Sequence, residues 1–291
     1  MSKRNNSRFI FLSSRIHVSF LMVSCSILAL VPIALSGCTS SKPTATETAS
    51  QATAETRTAT PATVPAENPS GYTVREPANG GAIEGRITLS GKPIPPRPVV
   101  VNQDASVCGS HREIYPVKVE EGGVVDAVVW IDDIHEGKAY GFAPAVLDQK
   151  KCTYDPHIVL MQPGDLKVTT SDPVPHNIHS YSEINRSYNE SMNPLNRETT
   201  LHFARPERVT FKCDLHGWME AFIVVVGNPY YAVTQKGGTF QLRDVPPGTY
   251  RLKVWQETLG EVTQTVTVEA GKTAKVNFSL SSASSETAEV R

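Results

Sequence analysis

Two short stretches of the chain contain residues that could bind a metal ion together. In the first, Cys213, His216 and Met219 follow the spacing C-x2-H-x2-M. The second is the upstream run Pro175-His-Asn-Ile-His179, which contains two histidines. One tight loop can direct a thiolate, an imidazole and a thioether to the same point, and His176 from the upstream run would complete a set of four ligands.

The donor types favour copper over zinc. Two histidines and a cysteine in a trigonal arrangement, with a weak axial methionine, form the ligand set of a blue-copper electron-transfer centre. Zinc more often takes a second cysteine or a carboxylate. The alternative is that His176, His216 and Met219 are ordinary turn and core residues around a buried structural thiol.

Strand alternation indicates which side chains can converge. Successive residues of a strand point to opposite faces, so Val209, Phe211 and Cys213 share one face and the thiol should point into a core. The same rule directs His176 inward and His179 outward. We therefore expect His176, and not His179, to be a ligand.

The segment from about Cys152 to Gly227 resembles a cupredoxin, and its motifs are similar to those of the amicyanins, which pair a P-H-N-[VI]-H strand with a C-x2-H-x2-M loop. The resemblance implies one type 1 copper ion held by His176, Cys213, His216 and Met219. It also implies that Asn177 braces the cysteine loop. The loop departs from the pattern at Asp214, Leu215 and Gly217.

Two apolar residues of the loop flank the second histidine. Leu215 and Trp218 lie on either side of His216, so we expect the imidazole edge to reach a small apolar surface patch on which a redox protein partner docks. The alternative is that Trp218 packs into the loop.

The amino-terminal region predicts export and lipid anchoring. Residues 1–37 combine four basic residues and no acid with an apolar run, as in a signal peptide. The run ends in Leu-Ser-Gly before Cys38, which resembles the bacterial lipoprotein cleavage motif, so we expect Cys38 to be lipidated and to hold the protein to a membrane of the cell envelope, facing the periplasm or the exterior. An unprocessed signal anchor is the alternative.

Composition changes sharply after Cys38. Residues 38–78 are rich in Thr, Ala, Ser, Pro and Glu and poor in large apolar residues, so we expect a disordered tether. Residues 282–291 are expected to form a disordered tail. Loss of the signal peptide would change the net charge from -1 to about -5, which disfavours a nucleic-acid partner.

The remaining sequence predicts an all-β protein. Alternating apolar residues predict strands over 83–89, 231–234, 250–254 and 276–280, and the apolar run 124–131 predicts a strand buried on both faces. The runs G-T-F-Q-L and V-P-P-G-T-Y-R-L after residue 236 resemble the carboxypeptidase regulatory-like domain, a transthyretin-like β-sandwich. The resemblance implies strands that pair across the cupredoxin-like segment.

We therefore predict that a cupredoxin-like Greek-key sandwich (148–227) is inserted into a scaffold sandwich made of 79–147 and 228–281. Such an insert would be a self-contained domain that could be removed. Against this, Phe222, Val224 and Val226 are too apolar for open solvent and could belong to a core shared by both domains.

The roles of the five cysteines are assigned by elimination. Cys25 lies in the signal peptide, Cys38 would carry lipid and Cys213 would bind metal. Cys108 and Cys152 remain, and in an exported protein two spare thiols favour a disulfide. Two buried thiols are the alternative.

The sequence favours a binding protein over an enzyme. It contains no Gly-x-Ser-x-Gly motif and no nucleophile with an assigned base, so we expect no catalytic reaction. Single-electron transfer in the cell envelope is the predicted function. The alternatives are a binding module for glycans or protein partners, and a site that buffers or delivers copper.

Overall fold

The computed structural model describes residues 70–282. The predicted signal peptide, Cys38 and most of the predicted tether lie outside the described residues, as do residues 283–291 of the predicted tail. Within the described range no helix has the length and apolarity needed to cross a membrane. Nearly all of the regular secondary structure in the described part is β-strand, which confirms the predicted all-β class.

The strands follow the chain in three groups. The first group is β1 (Thr73–Val74), β2 (Gly81–Ser90), β3 (Arg97–Val100), β4 (His111–Ile114), β5 (Val119–Glu120), β6 (Gly123–Val124), β7 (Val128–Ile131) and β8 (Glu136–Gly137), with the short helix α1 (Ala105–Cys108) between β3 and β4. The second is β9 (Ala145–Lys150), β10 (Thr153–Asp155), β11 (Ile158–Met161), β12 (Gly164–Thr170), β13 (His176–Tyr181), β14 (Asn189–Met192), β15 (Glu198–Phe203), β16 (Glu207–Lys212) and β17 (Glu220–Val225). The third is β18 (Tyr231–Val233), β19 (Thr239–Val245), β20 (Gly248–Gln256), β21 (Gly260–Val268), β22 (Thr273–Lys275) and β23 (Phe278–Ser281), with a 3-10 turn at Lys236–Gly238.

The first and third groups build one sandwich. One sheet has the order β18-β7-β20-β21, and the other has the order β19-β2-β22 with β23 also paired to β2. Strands from before and after residues 148–227 therefore hydrogen-bond to one another, for example β7 to β20. Their inward faces form a common core that includes Ile83, Ile131 and Leu252, all fully buried.

The second group builds the other sandwich. Its sheets have the orders β10-β9-β12-β15 and β11-β17-β16-β13-β14. Their core contains Phe203, Phe211 and Ile178, together with Val101 and Cys108 from the segment before β4. Residues 101–108, which the sequence analysis assigned to the scaffold, thus pack on the inserted sandwich.

A third apolar cluster joins the two sandwiches. β17 is buried on both faces: Ala221, Ile223 and Val225 pack into the inserted core. Phe222 and Val224 pack on the opposite face, in the cluster that contains Trp130 and Trp255 of the scaffold. The two sandwiches therefore share buried surface, as the apolar character of both faces of this strand suggested.

Two further features differ from the sequence expectation. The single strand predicted over 124–131 is wrong, since the chain leaves β6 and enters β7 through Asp126, whose φ is 62°. The reason is that β6 pairs with β5 whereas β7 pairs with β18 and β20. At the amino-terminal end, residues 70–78 of the predicted tether contribute β1 and the buried ring of Tyr72.

Candidate metal centre

The candidate ligands lie at one end of the inserted sandwich, on a loop and on the neighbouring strand. In β16 the side chains of Val209 and Phe211 point into the core, and Cys213 follows on the same face with 2% of its surface exposed. The loop from Cys213 to Met219 connects β16 to β17. The Met219 backbone N–H donates to the His216 carbonyl oxygen at 2.8 Å, which makes the loop turn tightly.

Three ligand atoms converge. His176, the first residue of β13, places Nδ1 3.0 Å from His216 Nδ1. Cys213 Sγ lies 4.0 Å from the first nitrogen and 3.8 Å from the second. The centre of a triangle with these sides lies about 2.1 Å from each corner, close to the distances of about 2.0–2.3 Å at which imidazole and thiolate hold zinc, a metal ion of similar size.

The fourth predicted ligand is buried in the core of the inserted sandwich. Met219 is 1% exposed and belongs to the same apolar cluster as Cys213. Among residues 70–282, Cys213 is the free cysteine. The arrangement brings two imidazoles and a thiol to a single buried position, on a loop whose last residue is the buried Met219, and these donor types fit a copper ion.

Each of the two histidines is held by a carboxylate at Nε2, the ring nitrogen outside the triangle. His176 Nε2 lies 2.9 Å from Asp172 Oδ2, and His216 Nε2 lies 3.1 Å from Asp104 Oδ2. An ionised carboxylate only accepts, so each of these contacts is a hydrogen bond when Nε2 carries the proton, and in a neutral ring that tautomer leaves the Nδ1 lone pair for a metal. Burial lowers the pKa of His176, against the opposing effect of its hydrogen bond to Asp172, and the neutral ring that can bind a metal is favoured.

The loop is held to β13 through Asn177. The Asp214 backbone N–H donates to Asn177 Oδ1 at 2.6 Å, and Asn177 Nδ2 donates to Asp214 Oδ2 at 2.7 Å. Asp214 also lies 3.0 Å from His179 Nδ1. Hydrogen bonds from His179 and then Asn177 lower the pKa of Asp214. His179 is partly exposed on the face opposite His176 and takes no part in the triangle.

A segment from the scaffold half covers the site. The segment runs from Val101 through α1, and it carries Asp104 against His216 while the Gln103 amide donates to the Leu215 carbonyl oxygen. The disulfide predicted between Cys108 and Cys152 is present and ties α1 to the residue before β10. We name residues 101–108 the strap.

The strap changes the expected surface at His216. An imidazole edge at the surface is not found, because the His216 side chain is fully buried beneath Asp104. Trp218 packs into the loop: its ring centroid lies 5.1 Å from that of His216, and its Nε1 donates to the Cys152 carbonyl oxygen at 2.9 Å. Leu215 remains 46% exposed.

Asp104 and Asp172 were not among the residues predicted from the sequence to form the site. Asp172 stands four residues before His176, in a run of turn residues that also fits an ordinary loop. Asp104 precedes His216 by 112 residues, so only the folded chain brings the two together. The disulfide was the one available signal, since a bridge from Cys108 to Cys152 requires the strap to lie near the inserted sandwich.

The fold and the site define an all-β protein of two sandwiches with a candidate metal centre of two histidines, a cysteine and a methionine. Residues 218–281 match the model of the carboxypeptidase regulatory-like domain. This match confirms the predicted resemblance of the carboxy-terminal part. No curated protein sequence matches the chain.

Several solved structures are similar to part of the chain. A copper-containing nitrite reductase from Thermus scotoductus SA-01 is 14% identical over 31% of this chain and 24% of its own, with a TM-score of 0.27. A purple cupredoxin from Nitrosopumilus maritimus is 20% identical over 28% of this chain and 99% of its own, with a TM-score of 0.25. An oxidized P96G mutant of amicyanin is 20% identical over 29% of this chain and 83% of its own, with a TM-score of 0.27.

Proposed function

We propose that this protein is a cupredoxin of the bacterial cell envelope that binds one type 1 copper ion and passes single electrons to or from a protein partner. The proposed ligands are His176, Cys213, His216 and Met219. The observation that carries the proposal is the triangle formed by the two Nδ1 atoms and Sγ, whose centre lies at metal-bonding distance from all three.

The surroundings of the ligands suit electron transfer. A bound copper ion with these ligands supplies a one-electron couple between Cu(I) and Cu(II). Each of the four side chains is at most 2% exposed, and both histidines and the loop are fixed by hydrogen bonds from outside the ligand set. Side chains fixed in this way change position little when the charge at the centre changes by one.

Burial of the ligands bears on one alternative, copper delivery. A copper-delivery protein must present a ligand that an acceptor can reach, whereas His176 and His216 are both covered. Electron transfer needs no such contact with the metal. We therefore favour electron transfer over delivery, and we propose no catalytic reaction for this chain.

The proposed function includes a membrane location and a redox protein partner. Lipidation at Cys38 would tether the protein to a membrane, and the exposed side chain of Leu215 offers a contact next to the site. Trp218, together with Gly217 and Met219, lines a cleft of about 480 Å3 beside the loop. We propose that a redox partner docks over Leu215 and the mouth of this cleft, with Trp218 between the partner and His216.

The test is the visible spectrum of the full chain after loading with Cu(II). We expect one copper per chain and an intense visible band that disappears on reduction. Cys213→Ser should abolish the band, because the thiolate supplies the charge transfer. His179→Ala is the matched control, since it removes a neighbouring histidine outside the triangle, and it should leave the band unchanged. Colourless Cu(II) binding, or a band that survives Cys213→Ser, would overturn the proposal.

A further inference from the structure

Each proposed histidine ligand has a carboxylate on the side away from the metal position. The Asp172 contact is deeply buried, with 0% of the His176 side chain and 6% of the Asp172 side chain exposed. The Asp104 contact covers an equally buried His216, while the Asp104 side chain itself is 34% exposed. The two carboxylates come from different parts of the chain, yet they occupy equivalent positions behind the two rings.

The Asp172 carboxylate is fixed by the backbone. It accepts hydrogen bonds from the N–H groups of Lys151 at 2.6 Å and Cys152 at 2.7 Å in addition to His176. These donors hold the carboxylate in one orientation. They also give Asp172 a structural role in the turn between β9 and β10, so substitution there would disturb more than one contact.

The Asp104 carboxylate is held in place by the strap. Its backbone carbonyl oxygen accepts from the N–H groups of Val107 at 2.9 Å and Cys108 at 2.8 Å, and four residues further on the disulfide fixes Cys108 to the inserted sandwich. The backbone of Asp104 has a φ of 52°, in the left-handed region. Aspartate and asparagine tolerate this region better than most residues, so an Asn there keeps the local conformation.

We propose that Asp104 and Asp172 are positioning residues that tune the metal centre through His216 and His176. This inference rests on the proposed copper site. A carboxylate that accepts the distal N–H of a ligand histidine fixes the tautomer and makes the ring a stronger donor. Two negative charges behind the rings also favour the more positive ion, so they stabilise Cu(II) over Cu(I) and lower the reduction potential.

The strap thereby has a function at the metal centre. It delivers a carboxylate from the scaffold half of the chain to a ligand of the inserted sandwich. The inserted sandwich by itself lacks the acceptor for His216 Nε2 that Asp104 supplies. The two halves of the protein therefore complete one metal centre together.

Asp104→Asn tests the inference with little structural change, because it keeps the shape and removes the charge. Loss of a partner behind a ligand histidine typically costs 10–100-fold in metal affinity. If only the affinity for Cu(II) falls, the reduction potential of the one-electron couple rises by about 59 mV for each tenfold loss of that affinity, or by about 59–118 mV in all. Asp104→Gly, which also accepts the left-handed backbone and removes the acceptor, should raise the potential at least as much.

Asp165→Asn is the matched control. Asp165 Oδ1 lies 2.7 Å from His202 Nδ1, but both side chains are exposed and lie outside the metal centre. The measurement is a spectroelectrochemical titration of the copper-loaded full chain. We expect the potential to be unchanged in Asp165→Asn. Asp104 variants that keep the wild-type potential and a normal visible band would overturn the inference and leave the proposed function intact.

A second readout does not depend on copper. Nitrogen-15 NMR of the metal-free chain should show His216 with a protonated Nε2 that donates to Asp104, and Asp104→Gly should lose this preference. If the wild-type chain forms no coloured copper centre, the proposed function fails. The protonation of His216 Nε2 in the NMR measurement still decides whether Asp104 orients His216. A wild-type His216 with a largely unprotonated Nε2 would overturn that role.

Discussion

The disulfide that fixes the strap allows a quantitative prediction. Cys108 and Cys152 are separated by 44 residues, and the chain-entropy relation for a closed loop of that length gives about 13 cal/mol/K, or about 4 kcal/mol at 25 °C. Both cysteines are buried, so replacement by alanine also leaves small voids in the core of the inserted sandwich. We expect the double variant Cys108→Ala with Cys152→Ala to lose about 4 kcal/mol or slightly more.

The assay is urea unfolding of the metal-free chain followed by tryptophan fluorescence. Wild-type protein with the disulfide reduced is the control, because it lacks the bond but keeps both sulfur atoms. The two samples should lose similar free energies of unfolding. A loss below about 1 kcal/mol in both would refute the view that the bridge restricts the unfolded chain. A large loss in the alanine variant alone would assign the effect to the voids.

Three more predictions concern other parts of the molecule. Phe222→Ala should lower the free energy of unfolding by about 3–5 kcal/mol and split calorimetric unfolding into two transitions. The matched control Phe211→Ala lies inside one core, so it should lose a similar free energy without a split. A single transition for Phe222→Ala would contradict a shared core. Met219→Leu should keep the visible band and raise the reduction potential, since the weak axial ligand is lost; an unchanged potential in voltammetry would remove Met219 from the ligand set. Partial burial raises the pKa of Glu207, but hydrogen bonds from residues 182–185 outweigh it and lower the pKa to about 2. The folded-state pKa is depressed, so its stabilisation is present above about pH 4.5 and is lost as the pH falls towards 2. Urea unfolding at several pH values should show a steeper loss for wild type than for Glu207→Gln, and equal slopes would contradict this role.

The shared cluster also changes the prediction for the inserted sandwich. A self-contained insert could be cut out at residues 149–227 with little effect on the scaffold. In the folded chain, removal would expose Val128, Trp130 and Trp255, which pack against Phe222 and its neighbours. We therefore expect the excised scaffold to lose fixed side-chain packing, which proton NMR would show as collapsed chemical-shift dispersion. A well-dispersed spectrum would show that the scaffold needs no partner on that face.

Local patterns in the sequence were sufficient to predict much of the site. The spacing of Cys213, His216 and Met219 falls within one loop, and the alternation that turns His176 inward needs only its own strand. These features depend on backbone geometry over a few residues, which is why the convergence of the three donor atoms could be predicted. The export predicted from the amino-terminal residues and the number of cysteines were enough to predict the bridge between Cys108 and Cys152.

Tertiary structure decided what lies against those local elements. The sequence showed that both faces of β17 are apolar, but only the folded chain shows that the scaffold covers the outer face. The tertiary structure also divides the apolar run 124–131 between two strands, because the two ends of that run pair with different sheets. Most decisively, the strap buries His216 and supplies Asp104. A contact across 112 residues leaves no periodic signal in the sequence, since it depends on how separate elements pack and not on the conformation of any one of them.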